Sequence, residues 1–124
     1  DGMAGKKVLS VGQCDFDHGS IESRLRGLFG VSVVPVDGAD EAKALLGREK
    51  FDLVLVNRVF DADGGSGLSL IEALKGPSQP PLMLVSNFPE AQAQAVAAGA
   101  VSGFGKSALG DLKAMQSLLA PYLG

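Results

Sequence analysis

The stretch Phe51-Asp52-Leu53-Val54-Leu55-Val56-Asn57, continuing through Arg58-Val59-Phe60-Asp61-Ala62-Asp63-Gly64-Gly65-Ser66-Gly67, decides the fold. Phe51–Val56 is a short apolar run rich in branched side chains, and a loop of Asp, Gly and Ser follows it. Such a run reads as a strand buried on both faces, the central strand of a parallel sheet. Asn57 stands at its carboxyl end. In open α/β sheets the chemistry gathers outside the carboxyl ends of the strands. Asn57 is therefore where a catalytic or acceptor group is expected, yet its amide carries no charge at neutral pH.

Working outward, Val8–Val11 predicts a first strand, and Ile21, Leu25, Leu28 and Phe29 recur at helical spacing after it. Asp17 or Ser20 is placed to cap that helix, and Gly30 to end it. Val31–Val36 predicts a second strand, which Pro35 marks as an edge. A helix from Asp40 closes at Gly47. Beyond the central strand, Leu68–Leu74 predicts a helix stopped by Gly76-Pro77, and Leu82–Val85 a fourth strand. Pro89 suits the first turn of an Ala-rich fourth helix running to Gly99. Val101–Phe104 predicts a fifth strand and Ala108–Leu119 a last helix. Strands alternating with helices five times imply parallel strands joined by right-handed crossovers. The expected fold class is a three-layer α/β/α sandwich.

At 124 residues the chain is one domain, and 46% hydrophobic residues place it among folded globules. Asp1-Gly2 ahead of Met3 reads as an expression remnant, which puts the domain at 3–124. Net charge is −3 and the basic residues are spread without a stripe, which argues against direct nucleic-acid binding. Apolar stretches are too short to span a membrane, and no signal peptide is read. A single cysteine, Cys14, excludes an internal disulfide and suits a reducing, cytoplasmic setting.

Over its whole length the chain resembles the receiver (CheY-like) domain of bacterial response regulators. The resemblance rests on the (βα)5 order, on Phe51–Val56 before the acceptor position, and on Gly99-Ala100 seven residues ahead of Lys106. It implies a flavodoxin-like sheet of order 2-1-3-4-5 and a role in two-component phosphorelay signalling. It also implies a phosphoryl-accepting Asp, an acidic pair binding Mg²⁺, a switch hydroxyl and a Lys. A metal held by carboxylates neutralises the incoming phosphoryl, while hydroxyl and ammonium bind its oxygens.

Only part of that set is present. The acceptor position holds Asn57, whose amide cannot take a phosphoryl group as a carboxylate does. The acidic pair falls on Gly12 and Gln13, neutral residues that make poor Mg²⁺ ligands. Ser86 and Lys106 stand where the hydroxyl and the Lys belong. The aromatic switch position falls on Gly103, with Phe104 next to it, and Ser107 replaces the usual proline. The expectation is a pseudo-receiver with no catalytic residue, no bound metal and no cofactor. Asp15 and Asp17 could rescue a metal site only by a slipped alignment, and both suit helix capping better.

The loop after Asn57 is longer than the family's usual one. Asp61-Ala62-Asp63-Gly64-Gly65-Ser66 has part of a Ca²⁺-loop pattern, but Gly65 occupies a ligand position and no Glu follows. A solvated flexible turn is the plainer reading. Cys14 reads as a partly buried structural thiol rather than a redox one. His18, the sole histidine, reads as a surface residue at the helix start. Lys106 is expected to be solvated, or to join Arg58, Ser86, Asn57 and loop amides in an anion-binding cup.

The main functional expectation is a non-enzymatic signalling module acting by protein–protein contact without phosphorylation. The rivals are an anion or small-metabolite binder at the degenerate site, and a true phosphoacceptor using another acid such as Asp61. The resemblance implies a contact or homodimer face on the fourth helix, fifth strand and fifth helix. Spacing places Ala93, Val96 and Ala97 inward, leaving Ala91, Gln94, Ala95 and Ala98 outward. In the last helix Leu112, Met115 and Leu119 are expected inward and Leu118 outward, which would complete a low-charge contact strip.

Overall fold

A computed structural model describes residues 5–124; Asp1-Gly2 and Met3 lie outside the described residues. Five parallel strands form one sheet in the order 2-1-3-4-5: β1 (Lys7–Val11), β2 (Ser32–Val36), β3 (Leu53–Asn57), β4 (Leu82–Val85) and β5 (Val101–Phe104). Five helices alternate with them: α1 (Asp15–Phe29), α2 (Ala39–Leu46), α3 (Gly67–Leu74), α4 (Pro89–Ala97) and α5 (Leu112–Leu123). The expected strand order and sandwich class are both present.

The strands alternate between two cores because successive side chains point to opposite faces. Leu9, Val11, Val54, Val56, Leu82 and Leu84 pack with α2, α3 and α4 through Ala42, Leu70, Ile71, Leu74, Ala91 and Ala95. Val8, Val33, Leu53, Leu55, Met83, Val85 and Phe104 pack with α1 and α5 through Ile21, Leu25, Met115, Leu119 and Leu123. β3 is buried on both faces, as its unbroken apolar run predicts. Pro35 lies on edge strand β2 opposite Ser10, where its missing N–H costs no inner ladder bond.

Several local expectations need correction. α1 starts at Asp15 and is capped neither by Asp17 nor by Ser20; the Cys14 thiol accepts the Asp17 N–H at 3.4 Å. α5 starts at Leu112, because a 3-10 turn over Lys106–Ala108 takes up the preceding residues, and Asp111 caps it. Pro121 sits inside α5 rather than ending it.

The faces of α4 are the reverse of those read from spacing. Ala91 and Ala95 are the buried residues, with Ala95 at 0% exposure, whereas Val96 is 45% exposed and Ala93 and Ala97 are exposed too. An Ala-rich helix carries no steep hydrophobic contrast, so its apolar pattern does not determine which side faces the sheet. Gln94 is exposed as expected, and Ala98 is half-buried against the core. In α5, Leu112 is 49% exposed rather than inward, and Leu118 packs against the α1/α5 core rather than pointing away.

β5 meets β4 through an irregular register: Met83 pairs with Val101, but Val85 pairs with Phe104. One extra residue on β5 is a bulge. At that bulge a Cβ on Gly103 would collide with the Leu84 carbonyl oxygen, so only glycine permits this approach.

Candidate functional site

The ends of β1, β3 and β4 converge on Asn57, and the local backbone explains which residues stand there. Gly12 leaves β1 with φ +79°, a left-handed conformation that favours glycine. Its N–H donates to the Val36 carbonyl at 2.9 Å. A side chain on Gly12 would also meet the Phe60 ring, which is only 3% exposed. The space beside the position where the resemblance implies an acid is therefore filled by an aromatic ring.

Phe60 reaches that space because the loop after β3 folds back as a small hairpin. Val59 bridges Ser66 in antiparallel fashion, and the Phe60 N–H donates to the Gly65 carbonyl at 2.8 Å. Asp63 Oδ1 accepts the Gly65 N–H at 2.8 Å, and the Gly67 N–H returns to the Arg58 carbonyl at 2.9 Å. Gly67 itself sits against the Asn57 carbonyl, where a Cβ has no room. The expected flexible turn is solvent-facing at Asp61–Gly64 but closed by these bonds.

Asn57 is committed to the same junction. Its Nδ2 donates to the Gly12 carbonyl at 2.9 Å and to the Val59 carbonyl at 2.8 Å. The Gly12 carbonyl also accepts the Asp61 N–H at 2.9 Å. A carboxylate has no hydrogen to give to these carbonyls, so an amide is the chemistry this position uses. Gln13 completes the pair with both amide atoms buried and without a hydrogen-bond partner among the described residues.

The Mg²⁺ that the receiver fold implies does not fit these residues. The positions that would ligate it hold a glycine and two neutral amides, with the Phe60 ring packed beside the glycine, whereas Mg²⁺ prefers anionic oxygens. Among the described residues no three His, Cys, Asp or Glu side chains converge to hold a metal ion. Asp15 is exposed on α1, and Asp17 is engaged elsewhere.

Asp17 Oδ2 lies 2.7 Å from Lys106 Nζ. The Lys106 ammonium holds the Asp17 carboxyl below the usual carboxylate range, with a smaller favourable contact from the Cys14 thiol and an opposing effect of partial burial. Lys106 is thus paired rather than solvated. Cys14 acts as the α1 cap, in keeping with a structural role. His18 is half-buried, with Nδ1 enclosed and without a hydrogen-bond partner among the described residues, which corrects its reading as a surface residue.

Ser86 is buried, and its Oγ accepts the Phe88 N–H at 3.1 Å in the β4–α4 turn. Asn87 Oδ1 accepts from the Ser107 N–H at 3.2 Å and the Ser107 hydroxyl at 2.9 Å, tying that turn to the loop after β5. The Arg58 guanidinium lies 4.9 Å over the Phe88 ring. Asn57, Arg58, Ser86 and Lys106 line one open hollow of about 300 Å³; the loop residues Gly64–Gly67, which the anion-cup expectation also included, and Asp61 do not line it.

Sequence reading missed Phe60 and Gln92. An aromatic residue within a Gly- and Asp-rich loop is the signal for Phe60, since a large apolar side chain there gains by burial. Gln92 has no comparable signal, although Gly103 within a strand marks a close backbone approach.

No family model matches the chain, and no curated protein matches it in sequence. Solved structures match it in fold. A proposed response regulator from Chloroflexus aurantiacus J-10-fl superposes with TM-score 0.78 at 20% identity, covering 94% of this chain and 98% of that one. A CheY-like receiver domain from Methylobacillus flagellatus gives 0.74 at 18% identity, covering 96% and 99%. The chemotaxis response regulator CheY4 of Vibrio cholerae gives 0.72 at 22% identity, covering 94% and 100%. The structural neighbours are thus response-regulator receiver domains, and the likeness spans nearly the whole chain.

Proposed function

We propose that this receiver fold serves as a non-enzymatic, cytoplasmic signalling module of a two-component-type system. It acts by protein contact and without phosphorylation as its switch. The observation that carries the reading is the double donation from Asn57 to the Gly12 and Val59 carbonyls. An acceptor residue must present a free anionic oxygen to phosphorus. Here the corresponding group is a neutral amide spent on holding two loops together, and Phe60 fills the neighbouring space. The remaining switch parts are engaged as well: Ser86 with Phe88, and Lys106 with Asp17.

The contact surface in this proposal is the α4–β5–α5 side, which serves a protein partner or a second copy of the chain. Its outward α4 residues beyond the first turn are Ala93, Gln94, Val96 and Ala97, which carry no charge; Glu90 at the start of the helix is the one charged residue on α4. No helix among the described residues is long and apolar enough to cross a membrane. Incubation with acetyl phosphate and Mg²⁺, read by intact mass, tests the proposal. No phosphoryl adduct is expected, and amide NMR should show no saturable shift around β1 and β3 as Mg²⁺ is raised. An adduct, or saturation there, would overturn it.

A second reading, binding of a small anion or metabolite, is favoured by the common hollow of Asn57, Arg58, Ser86 and Lys106. The Asp17 carboxylate already beside Lys106 weakens it, since a ligand must compete with that pair. A thermal-shift screen of phosphate, sulfate and small carboxylates separates the readings, because a ligand that binds only the folded state raises Tm.

A further inference from the structure

We infer that the Gln92 side chain is the latch that holds α4 on the sheet, and that it sets whether the α4 face is presented at all. Gln92 Nε2 donates to the Leu84 carbonyl at 2.9 Å and to the Ser86 carbonyl at 3.1 Å, with the Phe104 carbonyl a longer contact at 3.4 Å. Its Oε1 accepts the Gly103 N–H at 3.1 Å. One side-chain amide therefore bonds to both strands flanking the β5 bulge. These groups flank the broken β4–β5 register, where the amide adds side-chain bonds beside the remaining ladder bond from the Ser86 N–H to the Phe104 carbonyl at 2.9 Å.

The rest of the α4 attachment is slight. Its buried residues are Ala91 and Ala95, two methyl groups, whereas α5 inserts Met115, Leu119 and Leu123. Phe88, the N-cap, makes no side-chain capping bond. Burial stabilises in proportion to apolar area, so two alanines anchor a helix far less than three large side chains. The latch also depends on Gly103. A Cβ there would stand 3.0 Å from Gln92 Oε1 and collide with the Leu84 carbonyl. Gly103 and Gln92 act as one device on two elements: the glycine opens the bulge and the amide closes it.

Releasing the latch should free α4 while β1, β3 and α1, whose contacts lie elsewhere, stay folded. Such sub-global opening is visible in native-state hydrogen exchange. This inference deepens the contact-module reading and rests on it for its functional meaning. The two fail separately, since the exchange experiment uses neither a phosphodonor nor Mg²⁺.

The test compares the wild type with Gln92→Leu, which keeps the bulk and removes every latch bond. Exchange at the Ala95–Ala98 amides and at Gly103 should accelerate by about ten-fold or more, while β1 and β3 amides change less than about two-fold. Equal acceleration everywhere would make Gln92 an ordinary stability residue and overturn the latch, and so would no acceleration. Should Gln92→Leu not fold, the wild type in low denaturant decides. Amides of α4 must then open at lower denaturant than those of β3, and a single common opening for both would overturn the inference.

Discussion

Asn57 Nδ2 lies 2.9 Å from the Gly12 carbonyl oxygen, and this one contact joins the end of β3 to the residue that leaves β1. Both residues occupy positions where a receiver resemblance leads one to look for carboxylates. The amide and the glycine fit each other in a way that two acids could not. A carboxylate at 57 would face the Gly12 and Val59 carbonyls with no hydrogen to offer.

Asn57→Asp should therefore destabilise the fold by about 2–4 kcal/mol at neutral pH, from two lost donors and a partly buried charge beside carbonyl oxygens. Lys106 offers little relief, because Asp17 already pairs with it. The surroundings would raise the new carboxyl's pKa above the unfolded value of about 3.9. The charge part of the penalty should thus be full above that raised pKa and be lost as pH falls below about 4, leaving the cost of the one donor that a protonated carboxyl does not replace. Urea unfolding of both proteins at several pH values reads this, and a deficit independent of pH would contradict it. The variant should also remain without a phosphoryl adduct, since the acidic pair is still missing.

Gly12 and Phe60 should be energetically coupled. Gly12→Ala incurs the left-handed backbone penalty and a collision with the Phe60 ring, about 3 kcal/mol together. Phe60→Ala should cost about 3–4 kcal/mol through the cavity it leaves. In the double variant the collision disappears, so its cost should fall short of the sum by about 1 kcal/mol or more. Strict additivity in denaturant unfolding would mean that the ring does not fill the space beside Gly12.

The parts of this molecule that the sequence made legible are those written in strong local patterns. β3 and β4 are unbroken apolar runs, Pro35 places β2 at an edge, and Gly30 ends α1; these elements are present as the chain predicts, although β3 starts two residues later than read, at Leu53, and includes Asn57. The neutral residues at 12, 13 and 57, where the resemblance implies carboxylates, are equally plain, because they are residue identities. What fills the site instead was not legible. Phe60 reaches Gly12 only through a hairpin closed by backbone bonds, and backbone bonds leave little trace in side-chain pattern. The orientation of α4 failed for a different reason. Alanine occupies both faces of that helix, so Gln92 and the bulge, rather than hydrophobic contrast, turn Ala91 and Ala95 inward.

In the Asp17–Lys106 pair the carboxylate stabilises the fold, whereas the one introduced by Asn57→Asp destabilises it, so the two variants lose stability at neutral pH for opposite reasons. Asp17 has its carboxyl lowered in the folded state, chiefly by Lys106. Its contribution is then fully present above the unfolded pKa of about 3.9 and is lost as pH falls through the folded value. Asp17→Asn should cost about 0.5–1 kcal/mol at pH 7, the range for a partly exposed pair. The difference from wild type should close at acid pH and shrink in molar salt. A constant difference down to the acid transition would show that the ion pair is not its source.

The orientation of α4 also decides which substitutions can probe the contact face. Ala95 is fully buried against the sheet, so Ala95→Glu places a charge in the core and should cost about 4 kcal/mol or more, a loss of folding rather than of binding. Leu118→Glu is compromised in the same way, because Leu118 packs with the α1/α5 core. Val96 is 45% exposed on the uncharged outer face, between Ala93 and Ala97. Val96→Glu should shift stability by no more than about 0.5 kcal/mol, as surface changes do. It nevertheless adds a charge to the centre of the proposed contact strip, where an unpaired carboxylate must be desolvated on association. Sedimentation of the wild type and Val96→Glu at matched concentrations measures self-association, and pull-down with either protein as bait measures partner capture. The expected outcome is a folded variant with at least one of these interactions lost. A variant that folds, sediments as the wild type does and retains every captured partner would remove the α4 face from the proposal.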